Sequence, residues 1–158
     1  MKKILILILA VISFAACTQA TKPAARNYVL PALQGESYNF TEQIDNKPVV
    51  IAFMAGFCGY CKAMLPYVDN LAKQVPASQA DVIVAFMDEE SQGLLALEPV
   101  KQAKNVRIYY NAGELMEEQG ITGFPTIMLF RKGKLINTWR GYNPGHVDDI
   151  LETLRNLK

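Results

Sequence analysis

Residues 49–66 read VVIAFMAGFCGYCKAMLP. The first six, Val49-Val50-Ile51-Ala52-Phe53-Met54, form an unbroken apolar run rich in β-branched side chains. That length and composition predict a strand covered on both faces, as in a parallel sheet. From Gly59 the pattern turns helical as far as residue 75, interrupted at Pro66, which removes a hydrogen bond and should kink the helix. Cys58 and Cys61 fall where strand meets helix. Their spacing puts both sulfurs on one face of the first helical turn, close enough to bridge. Cys58 stands at the helix N-terminus, where unpaired amides and the macrodipole favour a thiolate. A thiol with the ordinary pKa of ~8.5 is only ~3% ionised at pH 7, and one lowered to ~7 is about half ionised. Cys58 is therefore the candidate nucleophile, and Cys61, one turn in, the candidate resolving thiol.

Outward from this stretch, strands alternate with helices. Residues 28–33 read as a short strand ended by the Gln34-Gly35 turn, and residues 41–46 as a helical turn. Residues 81–87 (DVIVAFM) repeat the signature of a buried strand. Residues 89–104 are helical with a break at Pro99, 106–110 a short strand and 114–119 a short helix. Residues 126–130 and 134–139 form a hairpin turned by Arg131-Lys132-Gly133. Asn143 is a good N-cap, with Pro144 at the first helical position, for a last helix reaching Leu157. This order predicts one α/β domain over residues 28–158, with helices on both faces of the sheet.

The first sixteen residues stand apart. Lys2 and Lys3 precede a 13-residue apolar run, 4–16, broken only by Ser13. A hydrocarbon core needs ~20 apolar residues, so the run is too short to span a membrane. It has the length and flanks of a secretory signal. Phe14-Ala15-Ala16-Cys17 resembles the lipobox of bacterial lipoproteins, whose cysteine is lipidated and becomes the mature N-terminus; Phe14 replaces the usual leucine. Cleavage after Ala15 by an ordinary signal peptidase is the alternative. Both readings export the chain.

Cysteine arithmetic favours the lipid. The chain has three cysteines, and an odd thiol in an exported protein calls for an explanation. Lipid on Cys17 leaves Cys58 and Cys61 as an isolated pair. Residues 18–27 (TQATKPAARN) show no apolar periodicity and read as a tether. As a flexible coil they span ~17 Å, and at full stretch ~33 Å, which keeps the domain close to the bilayer.

Composition narrows the rest. An apolar content of 51% supplies a core and excludes general disorder. The formal charge is +1, and without Lys2 and Lys3 the chain carries 14 basic against 15 acidic residues. That balance offers no clustered basic face for nucleic acid. The cysteine pair still has competing uses. A structural disulfide is one, although a bridge closing so short a loop removes little chain entropy. Zinc is another, but it needs two further ligands, and the chain offers one histidine and no free cysteine.

Two segments together carry a family resemblance. The strand, Cys58-Gly59-Tyr60-Cys61 and the helix through Pro66 resemble the active-site strand and kinked helix of thioredoxins. Gly120-Ile121-Thr122-Gly123-Phe124-Pro125-Thr126 resembles their second hallmark, a loop ending in a cis-proline. Gly133 and Gly141 fall where the family places glycines in and after its closing hairpin. The resemblance covers residues 28–158. It implies a thioredoxin fold, a central mixed sheet flanked by helices, with an extra N-terminal strand and a central helix–strand insertion.

The resemblance also assigns roles. Cys58 and Cys61 become the catalytic dithiol and its redox-active disulfide, with no other cofactor and no metal. Pro125 faces the two sulfurs, and the backbone of Phe124 pairs with substrate as a short extra strand. Beyond what the resemblance implies, Phe57 and Tyr60 read as further substrate-binding side chains beside Phe124, with Met54 extending the patch. The extra elements and lipid anchor are similar to the TlpA/ResA-type membrane-anchored reductases. These reduce protein disulfides outside the cytoplasm, for example during cytochrome c maturation, with electrons from a membrane partner. An oxidase or isomerase acting through the same residues is the alternative. From other classes come a copper-delivery protein and a non-catalytic thioredoxin-fold binding module.

Departures from the family pattern are specific. Ala52 occupies the position of a buried carboxylate that accepts the Cys61 proton. Met54 and Phe57 replace tryptophans. The Gly59-Tyr60 dipeptide resembles periplasmic disulfide isomerases, which carry a dimerisation domain for which this chain has no room. Met54 and Met64 beside the thiols would suit Cu(I), though methionine is a common core filler. His146, the sole histidine, opens the last helix and reads as a surface or capping residue. Asp88-Glu89-Glu90 reads as a solvated loop.

Overall fold

The computed structural model describes residues 26–157. Cys17, the leader and the tether as far as residue 25 lie outside the described residues. Two-residue strands β1 (Val29–Leu30) and β2 (Tyr38–Asn39) pair antiparallel and lead into α1 (Phe40–Asn46). Asn39 caps α1, its side chain accepting the Glu42 N–H at 3.2 Å. Then follow β3 (Val49–Met54), α2 (Gly59–Gln74), β4 (Asp81–Phe86), α3 (Ser91–Leu95), α4 (Glu98–Gln102) and β5 (Arg107–Tyr109). The chain closes with α5 (Gly113–Glu118), β6 (Thr126–Arg131), β7 (Lys134–Arg140) and α6 (His146–Asn156).

The main sheet runs β5-β4-β3-β6-β7, with β3, β4 and β5 parallel and β6 and β7 antiparallel to their neighbours. Strand β3 is central, and all six of its residues are buried. Alternation divides them. Val50, Ala52 and Met54 pack with α2, α3, α4 and α6, while Val49, Ile51 and Phe53 pack with Phe40 of α1, Leu115 and Met116 of α5, and the β1–β2 pair. The unbroken apolar run thus reflects a strand covered on both sides. The thioredoxin fold, its mixed sheet, N-terminal strand and inserted helix–strand segment, stands as the resemblance implied.

Local boundaries differ in four places. Helix α2 runs unbroken through Pro66, because buried residues on both sides of it, Cys61, Met64 and Leu65 before and Val68 and Leu71 after, hold the helix to the sheet. The 89–104 segment is two short helices whose break precedes Pro99. That proline sits in the first turn of α4, where a missing N–H has no partner to lose. Asn143 caps a turn, its side chain accepting the Gly145 N–H at 2.9 Å, and α6 starts only at His146. Strand β2 has no local signature; pairing of Tyr38 with Leu30 creates it.

The end of the sheet remote from the cysteines is tied by Asp81, 5% exposed. Its carboxylate meets Lys47 at 2.8 Å and Arg107 at 2.7 Å, and accepts the Tyr38 hydroxyl at 2.9 Å. Burial first, and then the Asp81 charge, push the Tyr38 phenol far above its ordinary range. The network joins β2, the C-cap of α1, β4 and β5. A second carboxylate, Asp69 of α2, accepts the N–H groups of Lys104, Asn105 and Val106 and the Asn105 amide, at 2.7–3.0 Å. It fixes α2 to the turn entering β5.

Candidate active site

Strand β3 ends at Met54, and Ala55-Gly56-Phe57 carries the chain to Cys58. The Cys58 N–H donates to Ala55 O at 3.0 Å, closing a tight turn. Cys58 is the N-cap of α2, and its sulfur accepts the Cys61 N–H at 3.1 Å. An amide aimed at that sulfur is the local interaction that favours a thiolate there once the bridge is reduced. Cys58 and Cys61 form a disulfide, with Cα atoms 5.2 Å apart. Cys58 is half-buried, whereas Cys61 is 1% exposed. The asymmetry follows from helix phase. Cys61 shares the buried face with Met64, Leu65 and Val68, while Cys58 stands at the solvent end.

The second hallmark loop lies against this turn. The Phe124–Pro125 peptide is cis, Pro125 is buried, and its carbonyl accepts the Gly141 N–H at 2.8 Å. The Thr126 hydroxyl donates to Gly123 O at 2.8 Å and closes the loop. Among the described residues the N–H and C=O of Phe124 make no backbone hydrogen bond.

Aromatic rings flank the pair on two sides. Phe57 is 76% exposed and meets Phe124 edge-to-face at 6.5 Å. Tyr60, 68% exposed, stacks on Tyr142 at 6.0 Å, and Tyr142 in turn meets Tyr67 at 6.3 Å. The structure therefore gathers Cys58, Cys61, Phe57, Tyr60, Phe124 and Pro125 at one end of the sheet, beyond the C-terminus of β3. Neither Tyr67 nor Tyr142 belongs to a motif of the sequence. Tyr67 follows Tyr60 by seven residues, which puts both on one helical face and could have flagged it. Tyr142 arrives from the loop after β7, and no local pattern marks it.

The remaining candidates separate from this group. Met54 and Met64 are fully buried in the core, where a thioether packs and does not meet an incoming ion. Among the described residues no group of three or more His, Cys, Asp or Glu side chains is placed to hold a metal ion. His146 is partly buried at the start of α6, with Nε2 3.4 Å from Arg140 O. Ala52 is buried in the same apolar cluster as Cys61. Asp88 is not simply solvated as its loop suggested; half-buried, it accepts the Gly56 N–H at 2.8 Å.

Comparison with known proteins agrees with this geometry. The Redoxin family model matches residues 17–154. Curated relatives include the protein disulfide-isomerases of Oryctolagus cuniculus (26% identical over 76% of this chain) and Zea mays (29% over 74%). The chain spans about a fifth of the length of each, 20% and 19%. Among solved structures, the exposed lipoprotein thioredoxin Etrx1 of Streptococcus pneumoniae is 26% identical, with a TM-score of 0.65 over 84% of this chain and 100% of that one. StoA of Bacillus subtilis is 19% identical, with a TM-score of 0.67 over 80% and 95%. With a disulfide at the strand–helix junction and a cis-proline loop beside it, the chain belongs to the Redoxin family and has the thioredoxin fold.

Proposed function

We propose that this thiol–disulfide oxidoreductase works outside the cytoplasm as a protein-disulfide reductase, held to the membrane by lipid on Cys17. The observation that carries the substrate class is the pairing of an accessible Cys58 with the open backbone of Phe124. An extended segment lying along Phe124 would present its disulfide to Cys58, with Phe57 and Tyr60 contributing apolar contact. The Cys58 thiolate attacks one substrate sulfur, forming a mixed disulfide and releasing the other sulfur as a thiolate. Cys61, deprotonated, then attacks the Cys58 sulfur and releases the second substrate thiolate, which takes up a proton. Two electrons have passed from the dithiol to the substrate, leaving the Cys58–Cys61 disulfide. A membrane dithiol partner would return the electrons.

The export reading is supported by the apolar leader ending at Cys17 and by likeness to an exposed lipoprotein thioredoxin. Residues 1–16 would be the signal peptide, 17–27 the lipidated end and tether, and 28–158 the domain. An isomerase is the second reading, favoured by the Gly59-Tyr60 dipeptide and by relatives named protein disulfide-isomerase. The reduction potential of the Cys58–Cys61 couple decides between directions. A value near about −270 mV is expected for a reductase; one near about −180 mV would favour isomerisation and one near about −120 mV oxidation.

A further inference from the structure

Gly56 is held from outside its own loop. Its N–H donates to the carboxylate of Asp88, which stands between β4 and α3, at 2.8 Å. A Cβ on Gly56 would lie 2.7 Å from Asp88 Oδ1 and 3.1 Å from Leu94 Cδ2, so glycine leaves the room that the carboxylate fills. The Asp88 main chain is pinned as well. Its carbonyl accepts the Asn111 N–H at 2.8 Å, and the preceding Met87 N–H donates to Met54 O at 2.9 Å. Two residues after Gly56 comes Cys58. Among the described residues Asp88 is the one carboxylate hydrogen-bonded to residues 55–61.

Among the described residues no acid within the core stands in for the carboxylate that the family pattern has at the position of Ala52. The described residues bury two polar side chains, Asp81 and Thr126. Asp81 lies at the opposite end of β4, and the Thr126 hydroxyl is committed to Gly123 O. We propose that Asp88 is a positioning residue of the redox turn, holding Gly56 and, through its charge, setting how readily Cys58 ionises. This rests on the reductase reading and deepens it. A carboxylate beside a thiolate disfavours the charged thiol. It thereby raises the energy of the reduced form and makes the dithiol a better electron donor.

Other titratable groups belong to α2 and to the neighbouring segments. Lys62 lies one helical turn beyond Cys58, Glu89 and Glu90 share the Asp88 loop, and Glu114 of α5 pairs with Arg26 at 3.8 Å. The Tyr60, Tyr142 and Tyr67 phenols lie together on the helix side. Among the described residues none of these side chains hydrogen-bonds or ion-pairs with residues 55–61.

The test uses the full chain, reduced, as wild type, Asp88→Asn and Asp88→Ala. Cys58 alkylation by iodoacetamide is followed from pH 5 to 9, and the equilibrium with glutathione is measured at pH 8. Asp88→Asn keeps the acceptor and removes the charge. It should alkylate about threefold faster at pH 6.5, with the whole profile displaced to lower pH. The glutathione equilibrium should move about threefold toward the reduced protein, equivalent to about 14 mV. Asp88→Ala also loses the tether, and its exchange with a protein disulfide should fall about tenfold. An Asp88→Asn profile superimposed on wild type would overturn the charge role. An Asp88→Ala variant that exchanges at the wild-type rate would overturn the positioning role. A wild-type couple as oxidising as a dedicated oxidase would instead sink the reductase reading and leave the Asp88 displacement standing.

Discussion

Tyr142, in the loop after β7, stacks on Tyr60, the residue just before the buried cysteine, with ring centroids 6.0 Å apart and planes inclined by 23°. Offset aromatic pairs of this kind contribute about 0.5–1.5 kcal/mol. On the substrate reading proposed above, the contact adds a second ring beside Tyr60 to the surface a polypeptide would meet. Tyr142→Ala should raise KM for reduced-protein exchange with insulin about two- to tenfold. Exchange with a small disulfide such as oxidised dithiothreitol should change much less, and Tyr142→Phe should behave as wild type. An equal fall with both substrates would place Tyr142 in thiol chemistry and remove its docking role.

The two cysteines should react unequally. Cys58 is half-buried at the cap of α2 and Cys61 is 1% exposed. Limited alkylation of the reduced protein at pH 7, read by peptide mass spectrometry, should label Cys58 at least tenfold faster than Cys61. Faster labelling of Cys61 would reverse the assigned order of attack.

Asp81 concerns stability and not chemistry. Removing one member of a buried charge cluster costs about 3–5 kcal/mol when the partners stay buried. Lys47 and Arg107 are 32% and 54% exposed and regain water, so about 2 kcal/mol is expected for Asp81→Asn. Denaturant unfolding should show the loss, while the alkylation profile of Cys58 should not move. The sulfurs lie at the other end of the sheet.

Asp69 links stability to pH. Burial by itself would raise its carboxyl, but the N–H groups of Val106 and Asn105, the Asn105 side chain and the Lys104 N–H together hold it below the ordinary value. A depressed folded pKa contributes stability that is fully present above the unfolded value, about 3.9, and is lost as pH falls through the folded one. Asp69→Ala should destabilise the domain by about 1–2 kcal/mol at pH 7, as the loss of a capping carboxylate does. The difference from wild type should shrink as pH is lowered below about 4. Thermal unfolding of both proteins between pH 3 and 7 measures it; a pH-independent difference would show that the carboxylate's charge is not what binds the loop.

Cys17→Ser should release the domain from the membrane fraction with its exchange activity intact. Fractionation and N-terminal mass analysis provide the measurement. A wild-type protein already in the soluble fraction, with an unmodified N-terminus, would count against the anchor.

Residues 49–66 contain enough to define the strand, the helix and the position of the cysteine pair, because each signal there is local. A doubly covered strand must be apolar throughout, and an N-terminal cysteine needs only the first turn of its own helix. The loop at Phe124-Pro125 was legible for the same reason, since its residues are consecutive. Other features depend on which segments meet. Tyr142 reaches Tyr60 only because β7 lies beside β6 at the sheet edge, and Asp88 reaches Gly56 only because β4 runs parallel to β3 and ends level with it. Strand β2 and the continuity of α2 through Pro66 are likewise set by partners distant in sequence, whose packing outweighs weak local preference. The chain's own pattern determined what could be buried and where thiols would sit. The tertiary structure decided which rings and which carboxylate surround them, since side chains far apart along the chain interact only once the sheet order brings them together.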